Sequence, residues 1–167
     1  MTRIGLLSDT HHYLDPRIIE YFEDCDEIWH GGDFGTTGIA DELKAFRPLK
    51  GVYGNIDGQD IRTQFPEKLS WTCEEVPVYM IHIGGYPGRY APGVREELLR
   101  LKPRLFISGH SHILKIIPDK NLGLLHINPG AAGIQGWHKV RTVVKFTIDG
   151  KDIRDCQIAE WPRTAEK

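Results

Sequence analysis

Short apolar runs that stop at polar or glycine-rich turns are the feature that most constrains this fold. The run Ile4–Leu7 reads as a buried strand, and a helix is predicted after Asp15 as N-cap and Pro16 as first helical residue. Strand and helix patterns alternate in the first part of the chain, whereas the last part is mostly strand. That order predicts an α/β sandwich of mixed sheets flanked by helices, parallel at first and antiparallel at the end.

The remaining elements are predicted from apolar spacing and from proline or glycine punctuation. One helix runs from about Ile39 to Phe46, and another begins at Pro92 and stops at Pro103. We expect residues 1–167 to form one domain with a polar, loosely held tail after about residue 158. The further runs that read as strands are 27–30, 51–53, 69–72 paired with 76–83, 104–108, 113–117, 122–127 and 140–148.

Composition argues against several classes of protein. The 21 basic and 23 acidic residues leave a formal charge of −2, so bulk nucleic-acid binding is not expected. No apolar run approaches the roughly 20 residues that a membrane helix needs, and the N-terminus does not resemble a signal peptide. Three cysteines without CxxC spacing argue against a disulfide framework, so we expect a soluble cytoplasmic protein with no membrane contact.

Polar motifs follow five of the apolar runs. In an open α/β sheet the carboxyl ends of parallel strands line one edge, where ligands bind, so motifs far apart in the chain converge there. Within Asp-x-His and His-x-His, both side chains lie on the same side of an extended segment. The motifs are Asp9-Thr10-His11, Gly31-Gly32-Asp33, Gly54-Asn55, His82 and Gly109-His110-Ser111-His112.

The side chains of these motifs predict a metal site. Two aspartates, one asparagine and four histidines form an N/O ligand set without a thiolate. Such a set suits Mn²⁺, Fe, Zn²⁺, Ni²⁺ or Co²⁺ better than Ca²⁺ or a structural zinc held by cysteines. Seven ligands are too many for one tetrahedral ion, and they suffice for two ions if one carboxylate bridges them.

The five motifs, in this order, resemble the signature of the calcineurin-like metallophosphoesterases, and most closely their small, single-domain prokaryotic phosphodiesterase branch. The resemblance implies the α/β sandwich of that family and two divalent cations, with manganese favoured over nickel, zinc, iron, cobalt or magnesium. It implies that Asp33 bridges the two ions. The first ion would be held by Asp9, His11 and His112, and the second by Asn55, His82 and His110.

The same resemblance implies an enzyme that hydrolyses small phosphate esters, with diesters favoured. Water activated between the two ions would attack phosphorus in line with the leaving oxygen. Asp33, Asn55 and His110 are the candidate catalytic residues, and Asn55 would also contact the phosphate. A homodimer is a further expectation. The alternative is a protein-binding scaffold of the same fold with little or no catalysis, as in a retromer coat subunit.

Two departures from the family pattern bear on this chemistry. Many members carry a histidine in Gly-Asn-His-Asp, whereas this chain has Ile56 there, so that position supplies no general acid. We therefore predict a preference for good leaving groups, or an acid from elsewhere such as His12. The branch also tends to show His-Gly-His near the fourth motif, where this chain keeps only His82.

Each motif taken singly also has an explanation without a metal. The aspartates and Asn55 could be turn or cap residues, and His82 a half-buried core residue. All such explanations would have to hold together, which favours the metal site. His30 is either a partner that orients a ligand or a structural residue. The glycine-rich segment 84–90 either holds a phosphate, stacks a base, or is only a surface loop.

Overall fold

The computed structural model describes residues 1–164, in which two five-stranded sheets face each other and helices cover their outer sides. A two-stranded hairpin lies outside both sheets. The helices are α1 (Pro16–Tyr21), α2 (Thr37–Phe46), α3 (Gln59–Arg62) and α4 (Val94–Leu101). The strands are β1 (Thr2–Leu7), β2 (Glu27–His30), β3 (Leu49–Gly51), β4 (Lys68–Cys73), β5 (Val76–Ile81), β6 (Gly85–Tyr86), β7 (Arg89–Tyr90), β8 (Leu105–Ile107), β9 (Leu114–Asp119), β10 (Leu124–Pro129), β11 (Val140–Asp149) and β12 (Asp152–Pro162).

The first sheet has the order β12-β11-β1-β2-β3. Strands β1, β2 and β3 are parallel, whereas β11 is antiparallel to both β1 and β12. Helices α1 and α2 connect the parallel strands, and the predicted cap at Asp15 accepts a hydrogen bond from Arg17 N at 2.9 Å. The predicted change from parallel to antiparallel pairing is therefore confirmed.

The second sheet has the order β4-β5-β8-β10-β9, with β5, β8 and β10 parallel. The predicted pairing of 69–72 with 76–83 is confirmed, because Trp71 lies opposite Val78 in the β4–β5 hairpin. Helix α4 covers the outer face of this sheet through Leu98, which packs in one cluster with Tyr79 and Phe106. Both sheets thus point the carboxyl ends of parallel strands toward loops that can share one site.

The main core lies between the sheets. Alternate residues of β1, such as Ile4 and Leu6, face Val78, Met80 and their neighbours from the second sheet. A second core cluster lies under α1, α2 and α3 on the outer face of the first sheet. Burial on both faces explains why the parallel strands read as continuous apolar runs in the sequence.

Several predicted boundaries were wrong. The third strand ends at Gly51 and does not extend over 51–53. The chain from 152 to 162, which carries mostly exposed side chains, forms the edge strand β12 against β11, so the expectation of a loose tail is wrong for residues 159–162. Residues 165–167 of that tail lie outside the described residues.

Two expectations drawn from composition concern membrane helices and disulfide bonds, and the structure of residues 1–164 bears on both. None of the helices in this part of the chain is long and apolar enough to cross a bilayer. All three cysteines are free thiols, two of them, Cys25 and Cys73, buried in the interior.

Candidate metal centre

The predicted ligands lie in the loops that follow β1, β2, β3, β5 and β8, five parallel strands drawn from both sheets. The structure brings their side chains into two adjoining groups, in each of which the ligand atoms lie within 4.8 Å of one another. The first group is Asp9, His11 and His112, and the second is Asp33, His82 and His110. The first group is the triad that the resemblance assigned to one ion, whereas the second contains His82 and His110 of the other predicted triad together with Asp33, the expected bridge, in the place of Asn55.

Asp33 connects the two groups. Its Oδ2 atom lies 3.3 Å from His11 Nε2 in the first group and 3.1 Å from His82 Nε2 in the second. Its other oxygen, Oδ1, accepts a hydrogen bond from Ile56 N at 3.0 Å, which orients the carboxylate. One oxygen therefore stands between a histidine of each group, the position that a bridging carboxylate requires.

Asp9 is buried, and its two carboxylate oxygens have different neighbours. Oδ2 accepts hydrogen bonds from Ser8 Oγ at 2.7 Å and from His110 N at 3.1 Å, which ties the first loop to the loop after β8. Oδ1 lies 3.6 Å from His11 Nε2 and 3.3 Å from His112 Nε2. The free oxygen is therefore the one aimed at the imidazoles.

Asn55 joins the second group through His110. Its Oδ1 atom lies 3.0 Å from His110 Nδ1, and both residues are exposed. Gly54, just before it, has no room for a side chain, because a Cβ there would collide with the Asp33 backbone and carboxylate. The Gly-Asn and Gly-Asp loops are therefore packed directly against each other.

The ligand loops adopt left-handed backbone conformations, so the predicted extended geometry of Asp-x-His and His-x-His is wrong. Side chains in a regular extended segment would follow the pleat, whereas positive φ angles turn the chain sharply at each ligand. Such conformations cost of order 1–3 kcal/mol each outside glycine, and they concentrate at functional sites. The φ angles are 54° at Asp9, 43° at His11, 59° at Asp33, 71° at His110 and 63° at His112.

The tautomer of His82 follows from one hydrogen bond. Its Nδ1 atom lies 2.7 Å from the carbonyl oxygen of Gly31, so Nδ1 carries the proton and donates to that oxygen. The lone pair of Nε2 is then free and faces Asp33. A ligand histidine held by a backbone carbonyl in this way has its ring direction set before an ion arrives.

His30 supports the loops and is not itself among the ligand groups. Its Nδ1 accepts a hydrogen bond from Gly32 N at 3.0 Å, so Nε2 carries the proton and donates to Thr10 Oγ1 at 3.1 Å. Thr10 in turn donates to Phe34 O at 2.9 Å. Burial lowers the pKa of His30 to about 3, so the ring is neutral. Of the two roles considered for His30, the structure shows the structural one.

Asp57 is a site-organising residue that the sequence reasoning missed. It is buried, and its carboxylate accepts four backbone hydrogen bonds, from Asp33 N, Phe34 N, Gly35 N and Gly54 N, at 2.8 to 3.3 Å. It thereby holds the Gly-Asp loop and the Gly-Asn loop in one arrangement. The available signal was its place two residues after Asn55 in Gly54-Asn55-Ile56-Asp57.

The other histidines are distributed around the site. His12, the suggested alternative acid, is exposed and its ring lies against Gly35. His138, which no motif singled out, packs edge-on against His112 with 5.1 Å between ring centroids. His126 is buried in the second sheet. Ile56, which stands where a histidine was expected, is 42% exposed.

The donor set fits divalent metal ions. Three buried atoms, Asp9 Oδ1, His11 Nε2 and His82 Nε2, have no hydrogen-bond partner and point toward one another's groups. Buried polar atoms are normally satisfied, so three such atoms converging in one place indicate a ligand that would bind them. Their chemistry, imidazole nitrogen and carboxylate oxygen, suits first-row transition metals.

The charges of the site also favour cations. Burial opposes ionisation of Asp9, but His11 and His112 outweigh it and hold the pKa of this carboxyl well below its usual range. Burial likewise opposes ionisation of Asp33, and His11 and His82 lower its pKa. The neighbouring carboxylates of Asp33 and Asp9 raise the pKa of His11 to about 9. Both carboxylates are ionised at neutral pH and present fixed negative charge to an incoming ion.

Similarity to known proteins agrees with this site. A protein of Methanothermobacter thermautotrophicus described as a probable metallophosphoesterase is 31% identical over 155 residues, which cover 90% of this chain and 88% of that protein. Among solved structures, the fold resembles a novel archaeal phosphodiesterase with a TM-score of 0.72 and 22% identity, over 94% of this chain and 99% of that one. It also resembles zinc-complexed Vps29 of Entamoeba histolytica with a TM-score of 0.74 and 13% identity, over 97% and 99% of the two chains.

A direct match to a described family covers most of the chain. Residues 2–151 match the calcineurin-like phosphoesterase superfamily domain, a span that includes all five motifs and every predicted ligand. The chain therefore belongs to the calcineurin-like phosphoesterase superfamily.

Proposed function

We propose that this protein is a phosphodiesterase that works with two divalent metal ions. The observation that carries the proposal is the position of Asp33 Oδ2, which stands between His11 of one ligand group and His82 of the other. Asp9, His11 and His112 would hold one ion; Asn55, His82 and His110 would hold the other, with Asp33 between them. Manganese is the ion that we propose first.

The ions would lower the pKa of a water at the site and neutralise the phosphoryl oxygens. The chain itself determines how a substrate approaches. Asp9, Asp33 and His82 are buried, whereas Asn55 and His110 are exposed on the same group. The substrate phosphate therefore enters from the side of Asn55 and His110, where the amide of Asn55 can donate a hydrogen bond to a phosphoryl oxygen.

Two of the cavities that border the site, both at His110, support a diester over a monoester. Each has a volume of about 340 Å³, and both include His110 and Ser111 in their walls. One extends toward Tyr86 and Arg89, and the other toward Trp137, which is fully exposed. A diester carries two organic groups on one phosphorus, and cavities leading away from His110 leave room for both.

This chain offers little acid catalysis to the leaving group. Ile56 supplies no proton, and His12 packs against Gly35. Without an acid, an alcohol must leave as its anion, so its own acidity limits the rate. We propose that the physiological substrate has a leaving group of low pKa.

The test is hydrolysis of a chromogenic diester, bis(4-nitrophenyl) phosphate, and of the corresponding monoester. Protein stripped of metal would receive Mn²⁺, Ni²⁺, Zn²⁺ or Mg²⁺, and Asp33→Ala and His110→Ala would be compared with Asp41→Ala, an exposed aspartate on α2. We expect metal-restored diester turnover that both site variants lose and the control keeps. No turnover with any metal, in folded protein that binds metal, would favour the scaffold alternative.

A further inference from the structure

A cavity beside the metal centre has two basic residues, Arg89 and Lys115, in its wall, and the proposed chemistry gives neither of them a role. It lies between the loop after β8 and the β6–β7 hairpin and has a volume of about 340 Å³. We call it the hairpin cavity. The lining residues that matter to the argument are Tyr86, Arg89, His110, Ser111 and Lys115.

Two cations enter the hairpin cavity from different parts of the fold. Arg89 belongs to β7 of the hairpin, and Lys115 belongs to β9 at the edge of the second sheet. Within residues 1–164 neither makes an ion pair with a carboxylate, and none of the described residues that line the cavity is acidic. Two uncompensated positive charges on one concave surface produce a local field that favours anions, although the chain as a whole has a formal charge of −2.

Lys115 is held in place and not left free in solvent. Its Nζ atom lies 4.2 Å from the centroid of the Tyr86 ring, and the side chain is half-buried. A cation–π contact of this kind attracts the ammonium group to the face of the ring. The hairpin thus positions the ammonium group at the cavity wall, which reduces the entropy that binding would cost.

Asp119, an acidic residue that contacts the hairpin, is already engaged by hydrogen bonds. Asp119 Oδ2 accepts a hydrogen bond from the Tyr90 hydroxyl at 2.6 Å. Its Oδ1 accepts from Asn121 N at 3.0 Å and Leu122 N at 3.2 Å. Both oxygens of this carboxylate are therefore engaged by other donors, and it forms no ion pair with Lys115 or Arg89.

The hairpin cavity is continuous with the metal centre. His110, a member of the second ligand group, and Ser111 form its wall on that side. Ser111 Oγ accepts hydrogen bonds from Asn128 Nδ2 at 3.1 Å and from Ile113 N at 3.2 Å, which leaves its own proton available to donate. A ligand with one phosphate at His110 can therefore extend a second group toward Lys115 and Arg89.

We propose that the hairpin cavity binds a second phosphate group of the substrate, through Lys115 and Arg89. The substrate class is then a phosphodiester in which one esterified group carries a further phosphate. Charge-assisted hydrogen bonds from a lysine and an arginine to phosphate are among the stronger polar contacts, and the planar arginine can contact two oxygens at once. The identity of the reacting phosphate rests on the proposed function, whereas the second site is defined by its own residues.

The test is a calorimetric titration that measures how tightly non-hydrolysable ligands bind to the manganese-loaded protein at equilibrium. Linear bisphosphonates with linkers of three to five carbons would be compared with alkyl monophosphonates of equal length. We expect the best bisphosphonate to bind about tenfold more tightly than its monophosphonate partner. Lys115→Met, which retains the alkyl packing on Tyr86, and Arg89→Gln should each remove most of that gain, and Lys115→Arg should keep it.

Lys120→Met is the matched control, because Lys120 is an exposed lysine just beyond β9 and outside the cavity. The proposal is overturned if the second phosphonate brings no gain, or if Lys120→Met loses as much as Lys115→Met. An equal gain from a phosphonocarboxylate of the same length would overturn the assignment to phosphate. Because binding is measured without turnover, these results are distinct from a failure to hydrolyse diesters, which would overturn the proposed function instead.

Discussion

Metal binding to this protein should release protons, and His11 sets the minimum number. In the metal-free protein the carboxylates of Asp33 and Asp9 raise the pKa of His11 to about 9. At pH 7 the ring is then mostly protonated, because pH 7 lies well below that pKa. An ion can take the Nε2 lone pair only after that proton leaves.

The other predicted ligands limit the number of protons that metal binding can release. The carboxyl groups of Asp9 and Asp33 have lowered pKa values and are already ionised at pH 7. Burial lowers the pKa of His110 and so favours its neutral form. Burial tends to lower the pKa of His82, but Asp33 and Asp9 outweigh it and raise the value. We expect about one proton or more to be released per chain at pH 7.

The sign of the pH dependence follows. Below a pKa of about 9 protons compete with metal at His11, so the metal affinity rises about tenfold per pH unit between pH 7 and 8 from this residue alone. The assay is calorimetric titration of Mn²⁺ in buffers with different ionisation enthalpies, whose slope is the number of protons released. His11→Asn should reduce that number by about one. Release of less than about half a proton at pH 7, or an affinity that does not change with pH, would show that His11 does not give up a proton to the metal.

Three further predictions follow from individual residues. Asp57→Ala leaves four backbone N–H groups without their acceptor and should lower the free energy of unfolding by about 3 kcal/mol or more in urea denaturation, whereas exposed Asp60→Ala should change it little. Burial lowers the pKa of His126 to about 4, so this residue should lower the free energy of unfolding of the wild type by about 2 kcal/mol as pH falls from 7.5 to 5. His126→Gln should lose that part of the pH dependence. Curves of unfolding free energy against pH that stay parallel for the two proteins would contradict this prediction. Ile56→His, at a position 42% exposed, should raise turnover of diesters with poor leaving groups about tenfold or more and leave 4-nitrophenyl esters nearly unchanged; equal effects on both would show that no proton is being supplied.

The parallel strands were predictable because their signal is simple. Runs such as Ile4–Leu7 and Leu105–Ile107 are buried throughout, so they stand out as apolar segments between polar turns. Strand β12 gave no such signal, because it lies at the sheet edge with mostly exposed side chains. Strand β12 pairs with β11 because β11 presents an unpaired edge in the folded protein, and that edge cannot be read from the residues of β12 alone.

The candidate site was predictable in its residue types and in its order along the chain. The rule that strand ends meet at one edge was enough to collect Asp9, Asp33 and His82 into one place. The means by which they meet was not predictable, because left-handed φ angles at the ligands and the four bonds to Asp57 depend on neighbouring loops. The hairpin cavity likewise arises only when β7 and β9 are brought together.

Whether two ions act together in one site can be tested by measuring turnover as metal is added. Metal-free protein would be titrated with Mn²⁺, with bound metal and hydrolysis of bis(4-nitrophenyl) phosphate measured at each ratio. We expect the rate to continue rising until two ions are bound per chain, and we expect Asp33→Ala, which lacks the connecting carboxylate, to show no such rise. Full turnover at one bound ion per chain, or two bound ions without turnover, would contradict this expectation.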